Sequence, residues 1–246
     1  MKAGRSVNHV SSARLLAASL LIFFHCAQLT KAAQSTPADP PCEHAGFASS
    51  VHDISIDQEA DRAAIKTAEG MLFVWNAQRL SFTLSIKGKD IRPLGDSEHI
   101  FFNVDGRILQ IQLASIRDFA PDAKERKLDN TSILAAHRDW ESRFIEELLH
   151  SKIKVQSFNT KLASGSDASV WQFDMPDGMN SEIRKQLYLS IVSGDYVLLL
   201  NSGATAIISD DAGHKFLQDT IATLKISATP IDVKVLSETI RKGGTP

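Results

Sequence analysis

The stretch QLYLSIVSGDYVLLL, residues 186–200, constrains the fold more than any other part of this 246-residue chain. Two apolar runs flank Ser193, Gly194 and Asp195, and a small polar triplet of that kind folds a chain back on itself. The second arm, residues 196–200, barely alternates. A strand apolar on both sides is normally covered on both faces. The pattern therefore predicts a β-hairpin inside a sheet that has cover above and below.

The surroundings extend that sheet. KIKVQSF and ASVWQFDM read as strands joined across ASGSD. Earlier, Leu80, Phe82, Leu84 and Ile86 alternate with Ser81, Thr83, Ser85 and Lys87, the period-two signature of a strand with one wet face. In HIFFNVDGRILQIQL, Asp105-Gly106 sits between two apolar-rich runs, a tight-hairpin signal because glycine adopts the positive φ such turns need. Residues 71–75 form another expected strand. The segment DFAPDAKERKLDN, residues 118–130, breaks this pattern with proline and dense charge, and reads as a solvated connection and a possible sub-boundary.

Two helices interrupt the strands. Ile133, Trp140, Phe144 and Leu148 recur at helical spacing opposite charged residues. Asn130 or Ser132 suits the start of that helix, and His150 suits the negative pole at its end. A last helix begins near Ser209 or Asp210, with the acidic pair Asp210 and Asp211 at its positive pole and Phe216, Leu217, Ile221 and Leu224 turned inward. The order of hairpins, helix, hairpins and helix predicts an α+β fold, an antiparallel sheet packed by helices. The domain is expected over residues 47–228, followed by a tail over 229–246 whose closing RKGGTP frays.

The N-terminus sets the compartment. The apolar core of residues 15–24 is about half of what a membrane span of roughly 20 residues requires. Lys2, Arg5 and Arg14 precede it without an acidic residue, and small residues follow, the layout of a secretory signal. Thr30 and Ala32 place cleavage before Ala33. Residues 1–32 thus read as a signal peptide and residues 33–46, rich in Pro, Ala and Ser, as a flexible tether. Neither Cys26, after His25, nor Cys42, after Pro41, has the small preceding residue of a lipoprotein cysteine. Of the chain's 27 basic and 29 acidic residues, four basic and no acidic ones lie in residues 1–32. The remainder holds 23 against 29, a net charge of −6. That balance argues against nucleic acid or an anionic membrane surface as partner. Cys42 alone remains, so no intramolecular disulfide forms and the core must hold the domain.

The hairpin LYLSIVSGDYVLLL followed by a helix of the form FLQDTIATLKI resembles the end of PsbP-like envelope and lumenal proteins. The resemblance covers the C-terminal half and rests on layout. It implies an antiparallel sheet with helical cover and a non-catalytic accessory or assembly role.

Motifs of reactive chemistry are absent: no G-x-S-x-G elbow, Walker loop, G-x-G-x-x-G, H-E-x-x-H or C-x-x-C. SGSD (residues 164–167) and SGD (residues 193–195) read as turns rather than serine nucleophiles. Cys42, His44 and His52, with Asp53, form the best candidate for a site, since their side chains are competent metal ligands close in sequence. The competing reading is a free thiol on a tether and a histidine at a strand edge. Glu146 and His150, one helical turn apart, read as a surface ion pair, His137 as a packed or boundary histidine, and Trp75, Trp140 and Trp171 as core aromatics. The chain is thus expected to be an exported, secreted or periplasmic, soluble non-catalytic binding or assembly protein. Its expected partner is an envelope protein or small ligand, with no cofactor and no membrane span after signal cleavage. The alternatives are an exported hydrolase-type enzyme whose residues converge only in the fold, and a metal-binding module through Cys42, His44 and His52.

Overall fold

The computed structural model describes residues 54–57, 62–77, 79–94, 100–178 and 182–244. Among the described residues, twelve strands build two antiparallel sheets. The first joins β1 (Ile54–Asp57), β2 (Arg62–Thr67), β3 (Gly70–Ala77), β4 (Leu80–Lys87) and β12 (Lys225–Ser227) in that order. The second contains β5 (Ile91–Leu94), β6 (Phe101–Val104), β7 (Arg107–Ser115), β8 (Gln156–Lys161), β9 (Asp167–Asp174), β10 (Ile183–Ser193) and β11 (Tyr196–Thr205), arranged β5-β6-β7-β11-β10-β9-β8. Since β7 pairs with β11, strands from before and after residues 118–130 share one sheet. The α+β sandwich expected from the sequence is the architecture observed.

Turn chemistry fixes the hairpins. At the β6–β7 turn both Asp105 and Gly106 have positive φ, 51° and 83°, as a two-residue type I′ turn demands. At the β10–β11 turn Gly194 (φ 59°) takes the first central position, and Ser193 faces Tyr196 in register. The β8–β9 turn contains Gly165 at φ 85°. SGSD and SGD are turns, as their composition indicated.

Alternation along β10 and β11 then sorts side chains into layers. Leu187, Leu189, Ile191, Leu198 and Leu200 face the five-stranded sheet and pack with Phe73, Phe82, Leu84, Phe102 and Leu109 in the main core. Tyr188, Val197 and Leu199 point the other way, under helices. The apolar run of residues 196–200 is therefore covered on both faces. Burying a Leu side chain of this kind stabilises the fold by about 1.5–3 kcal/mol.

The helices are α1 (Ile116–Phe119), α2 (Asn130–Leu149), α3 (Asp210–Ile221) and α4 (Val233–Arg241). α3 closes the space between the sheets with Leu217 and Ile221, both almost fully buried. Its N-cap is Ser209, whose side chain accepts from the Ala212 N–H. Gly213 permits its close approach to β10, because a Cβ there would lie 2.2 Å from Leu187 Cδ1. Beyond its end, Thr223 ties the chain to β4, accepting from the Ser85 N–H at 2.8 Å.

Four expectations are corrected. Residues 229–246 contain α4 instead of forming a tail: Ile231, Val233, Leu236 and Ile240 pack on Ala63, Ile65, Leu72 and Val74, the outer face of the five-stranded sheet. Asp232 caps α4, and Asn76 fixes its approach through two hydrogen bonds with the Ile231 backbone, 2.9 and 2.8 Å. The expected wet face of β4 is covered over its first half, where Ser81 and Thr83 are buried, and opens only at half-buried Ser85 and exposed Lys87. Residues 118–130 are not simply solvated, because Ala120 and Ala123 are buried beside Ile116, Ile133 and Leu134. Finally, α2 buries Ile133, Leu134, His137, Glu141, Ile145 and Leu149, leaving Trp140, Phe144 and Leu148 half-buried. Its stripe is rotated from the most apolar face because two ionisable residues occupy the centre. Its cap is Asp129, which accepts from the Ser132 N–H at 2.8 Å.

Candidate functional site

The most unusual chemistry lies where α2 meets the seven-stranded sheet. His137 and Glu141, one turn apart on α2, are 0% and 4% exposed. Their nearest atoms, His137 Nε2 and Glu141 Oε1, are 3.8 Å apart, too far for a hydrogen bond. Neither ring nitrogen of His137 has a hydrogen-bond partner among the described residues. Burial alone pushes the Glu141 carboxyl up to about 8 and the His137 imidazole down to about 3. Both are neutral at pH 7.

The sheet contributes a polar floor to the same layer. Trp171 on β9 and Tyr188 on β10 stack face to face, ring centroids 3.7 Å apart. Burial, with the Glu141 carboxyl as a second cause, raises the Tyr188 phenol. Two residues along each strand, and so on the same face, Ser169 and Ser190 stand opposite one another in register. Their hydroxyls and the Trp171 Nε1–H are buried without a hydrogen-bond partner among the described residues. Each such group costs about 1–3 kcal/mol unless water satisfies it. Phe119 closes the α1 side, its ring 5.1 Å from that of His137.

A second feature is the outer edge of β8. This strand pairs with β9 on one side, and its side chains are exposed apart from the half-buried Thr160. Phe158, 54% exposed, meets the His214 ring of α3 edge-on at 6.2 Å. His214 Nε2 lies 2.7 Å from Gln172 Oε1, and Gln172 donates to Gln156 Oε1 on β8.

A third cluster joins the sandwich at one end. Asp195 in the β10–β11 turn pairs with Lys124 at 2.8 Å and with Arg79 at 3.6 Å, the latter from the β3–β4 turn. The Lys124 ammonium holds its carboxyl below the usual range. The cluster reads as a surface clamp.

The residues singled out from sequence fare differently. Cys42, His44 and His52 lie outside the described residues, as do residues 1–32. Among the described residues, no group of three or more His, Cys, Asp or Glu side chains is placed to hold a metal ion. No helix among them is long and apolar enough to cross a membrane. Glu146 and His150 do not pair: Glu146 accepts from Lys152 Nζ at 2.5 Å and from the Ile153 N–H at 3.3 Å. His150 is the left-handed cap of α2 (φ 49°), its N–H bonded to the last-turn carbonyls. Trp171 is core, while Trp75 and Trp140 are half-buried beside aromatic neighbours. Sequence reasoning missed Glu141, Ser169 and Ser190. The available signal was the i,i+4 spacing of Glu141 with His137 within a row running through Ile133 and Ile145.

No family model matches the chain, and no curated protein matches it. Among solved structures it is similar to the solution structure of cyanobacterial PsbP (CyanoP) from Synechocystis sp. PCC 6803. The identity is 10%, the match covers 76% of this chain and 98% of that one, and the TM-score is 0.40.

Proposed function

We propose that this is an exported, non-catalytic binding or accessory protein that meets a partner protein along the outer edge of β8. That edge carries the reading. The outer edge of a terminal strand presents backbone donors and acceptors in a row, the template for strand addition by an extended segment. Phe158 supplies an aromatic anchor beside it, of the kind that dominates binding energy at interfaces. The acidic balance of the chain after residue 32 and its basic, apolar leader support export and a protein partner rather than nucleic acid.

The hydrolase-type alternative would need the serine, histidine and carboxylate types that the α2 layer contains. Those groups do not form a nucleophile–base couple here, since neither His137 nitrogen is hydrogen-bonded and the imidazole has no exposed surface.

The test is a photo-crosslinking residue installed at Phe158 and, as a control, at exposed Lys234 on α4, with the protein expressed in its native host. A discrete adduct at 158 that is absent at 234 is expected. Absence of an adduct at 158, or equal labelling at both positions, contradicts the proposal.

A further inference from the structure

The contact between α2 and the sheet is built against ordinary packing practice. A helix usually docks through apolar side chains alone, yet α2 places His137 and Glu141 at the centre of its buried row, between Ile133 and Ile145. Among the described residues no hydrogen bond compensates them, and their mutual contact at 3.8 Å is an ion pair only if the imidazole is protonated. The ionisable groups facing one another in this layer are His137 and Glu141 from α2 and Tyr188 from β10. The residues β9 contributes are Ser169, Trp171 and Phe173, those of β11 are Val197 and Leu199, and α1 adds Ile116 and Phe119. None of these supplies a cation that would stabilise a carboxylate at Glu141.

We propose that α2 is a proton-operated latch: the neutral carboxyl of Glu141, enclosed with His137 against Tyr188, keeps the helix on the sheet, and its ionisation lifts the helix from β9 and β10. The geometry supports this in two ways. A carboxylate at Glu141, 4% exposed beside an imidazole that burial keeps neutral, becomes fully hydrated once the helix is displaced. The floor it uncovers already contains polar groups, Ser169, Ser190 and the Trp171 Nε1–H, that gain hydrogen bonds to water on opening. The five-stranded sheet and α3 lie on the other side of the seven-stranded sheet and keep their core. Opening is therefore local. This inference is independent of the β8 edge and stands or falls separately from it.

The pH dependence follows from linkage. Glu141 titrates near 8 with the helix docked and at an ordinary carboxyl value once it is open. The opening equilibrium then rises about fivefold from pH 7 to pH 8 and flattens above pH 9. Hydrogen–deuterium exchange, with rates corrected for intrinsic base catalysis, reads this out by segment. Peptides within residues 130–149 of the wild-type chain are expected to lose protection by that factor and to exchange, at every pH, through a less costly opening than peptides of β3 and β4. Glu141→Gln and Glu141→Leu are each expected to flatten the dependence. Two variants are used so that poor folding of one leaves the test intact. The latch is overturned if corrected exchange in 130–149 does not change with pH in the wild type. Protection of 130–149 equal to that of β3 and β4 overturns it too, as does persistence of the change in either folded variant.

Discussion

Trp171 and Tyr188 face each other in register on β9 and β10, and their rings stack at 3.7 Å with an interplanar angle of 3°. Phe173 extends the stack on the same face, its centroid 6.1 Å from that of Tyr188. Together with Leu199 they form the platform for Ile145 and Leu149 of α2. Trp171→Ala should therefore cost about 3–5 kcal/mol in chemical denaturation, the usual range for a large buried aromatic. Phe158→Ala at the exposed edge of β8 should fall within about 0.5 kcal/mol of wild type. Equal losses would mean that α2 draws little stability from this platform.

Removal of residues 229–246 should destabilise the domain, because α4 covers Ala63, Ile65, Leu72 and Val74. The shortened chain is expected to melt earlier and to bind a hydrophobic dye that the full domain does not. The point variant Leu236→Ala should reproduce a smaller part of the effect. An unchanged melting temperature after truncation would return this segment to the status of a tail.

That helix marks one limit of what the sequence makes legible. Hairpins with Asp105-Gly106 and Ser193-Gly194-Asp195 are readable because turn geometry is local and glycine-dependent. The two-sided burial of residues 196–200 is readable because such a run has no polar face to expose. α4 is not, since its few apolar residues become a buried face only against a sheet from the other end of the chain. The inward turn of α2 was misread for a related reason. Trp140, Phe144 and Leu148 are its most apolar stripe, whereas the sheet selects the adjacent row through His137 and Glu141. Glu141 and Tyr188 interact only after β10 returns beneath α2, and no spacing within either element reveals that.

Stability should fall on both sides of a plateau. His137, lowered to about 3 in the fold, binds a proton below roughly pH 6.5 in the unfolded chain only, so stability declines as pH drops from there. Glu141, raised to about 8, keeps a proton that the unfolded chain loses above roughly pH 4.5, so its contribution declines as pH rises from there toward 8. Between roughly pH 4.5 and 6.5 the two slopes oppose each other and stability is nearly flat. Denaturation across pH 3–9 is expected to show both limbs. His137→Gln should remove the acid limb and Glu141→Gln the alkaline one. A wild-type profile that climbs steadily from pH 6.5 to 9 would contradict the sign of the Glu141 effect.

The export reading rests on residues 1–32. Intact-mass measurement of the protein recovered outside the cytoplasm should find an N-terminus at or within a few residues of Ala33, with Cys42 free of lipid. A chain starting near Cys42 should fold with the same melting temperature as the processed protein. Full-length chain retained in the membrane would contradict the reading.

The contact of α2 with the sheet turns on one carboxylic acid of that helix, Glu141, kept neutral by burial. Carbon-detected NMR titration of the Glu141 side-chain carboxyl, assigned by its loss in Glu141→Gln, tests that state directly. A midpoint near pH 8 is the expected result. A midpoint near that of an ordinary glutamate, about 4.3, with α2 still docked would show the group to be solvated or paired and would contradict the account.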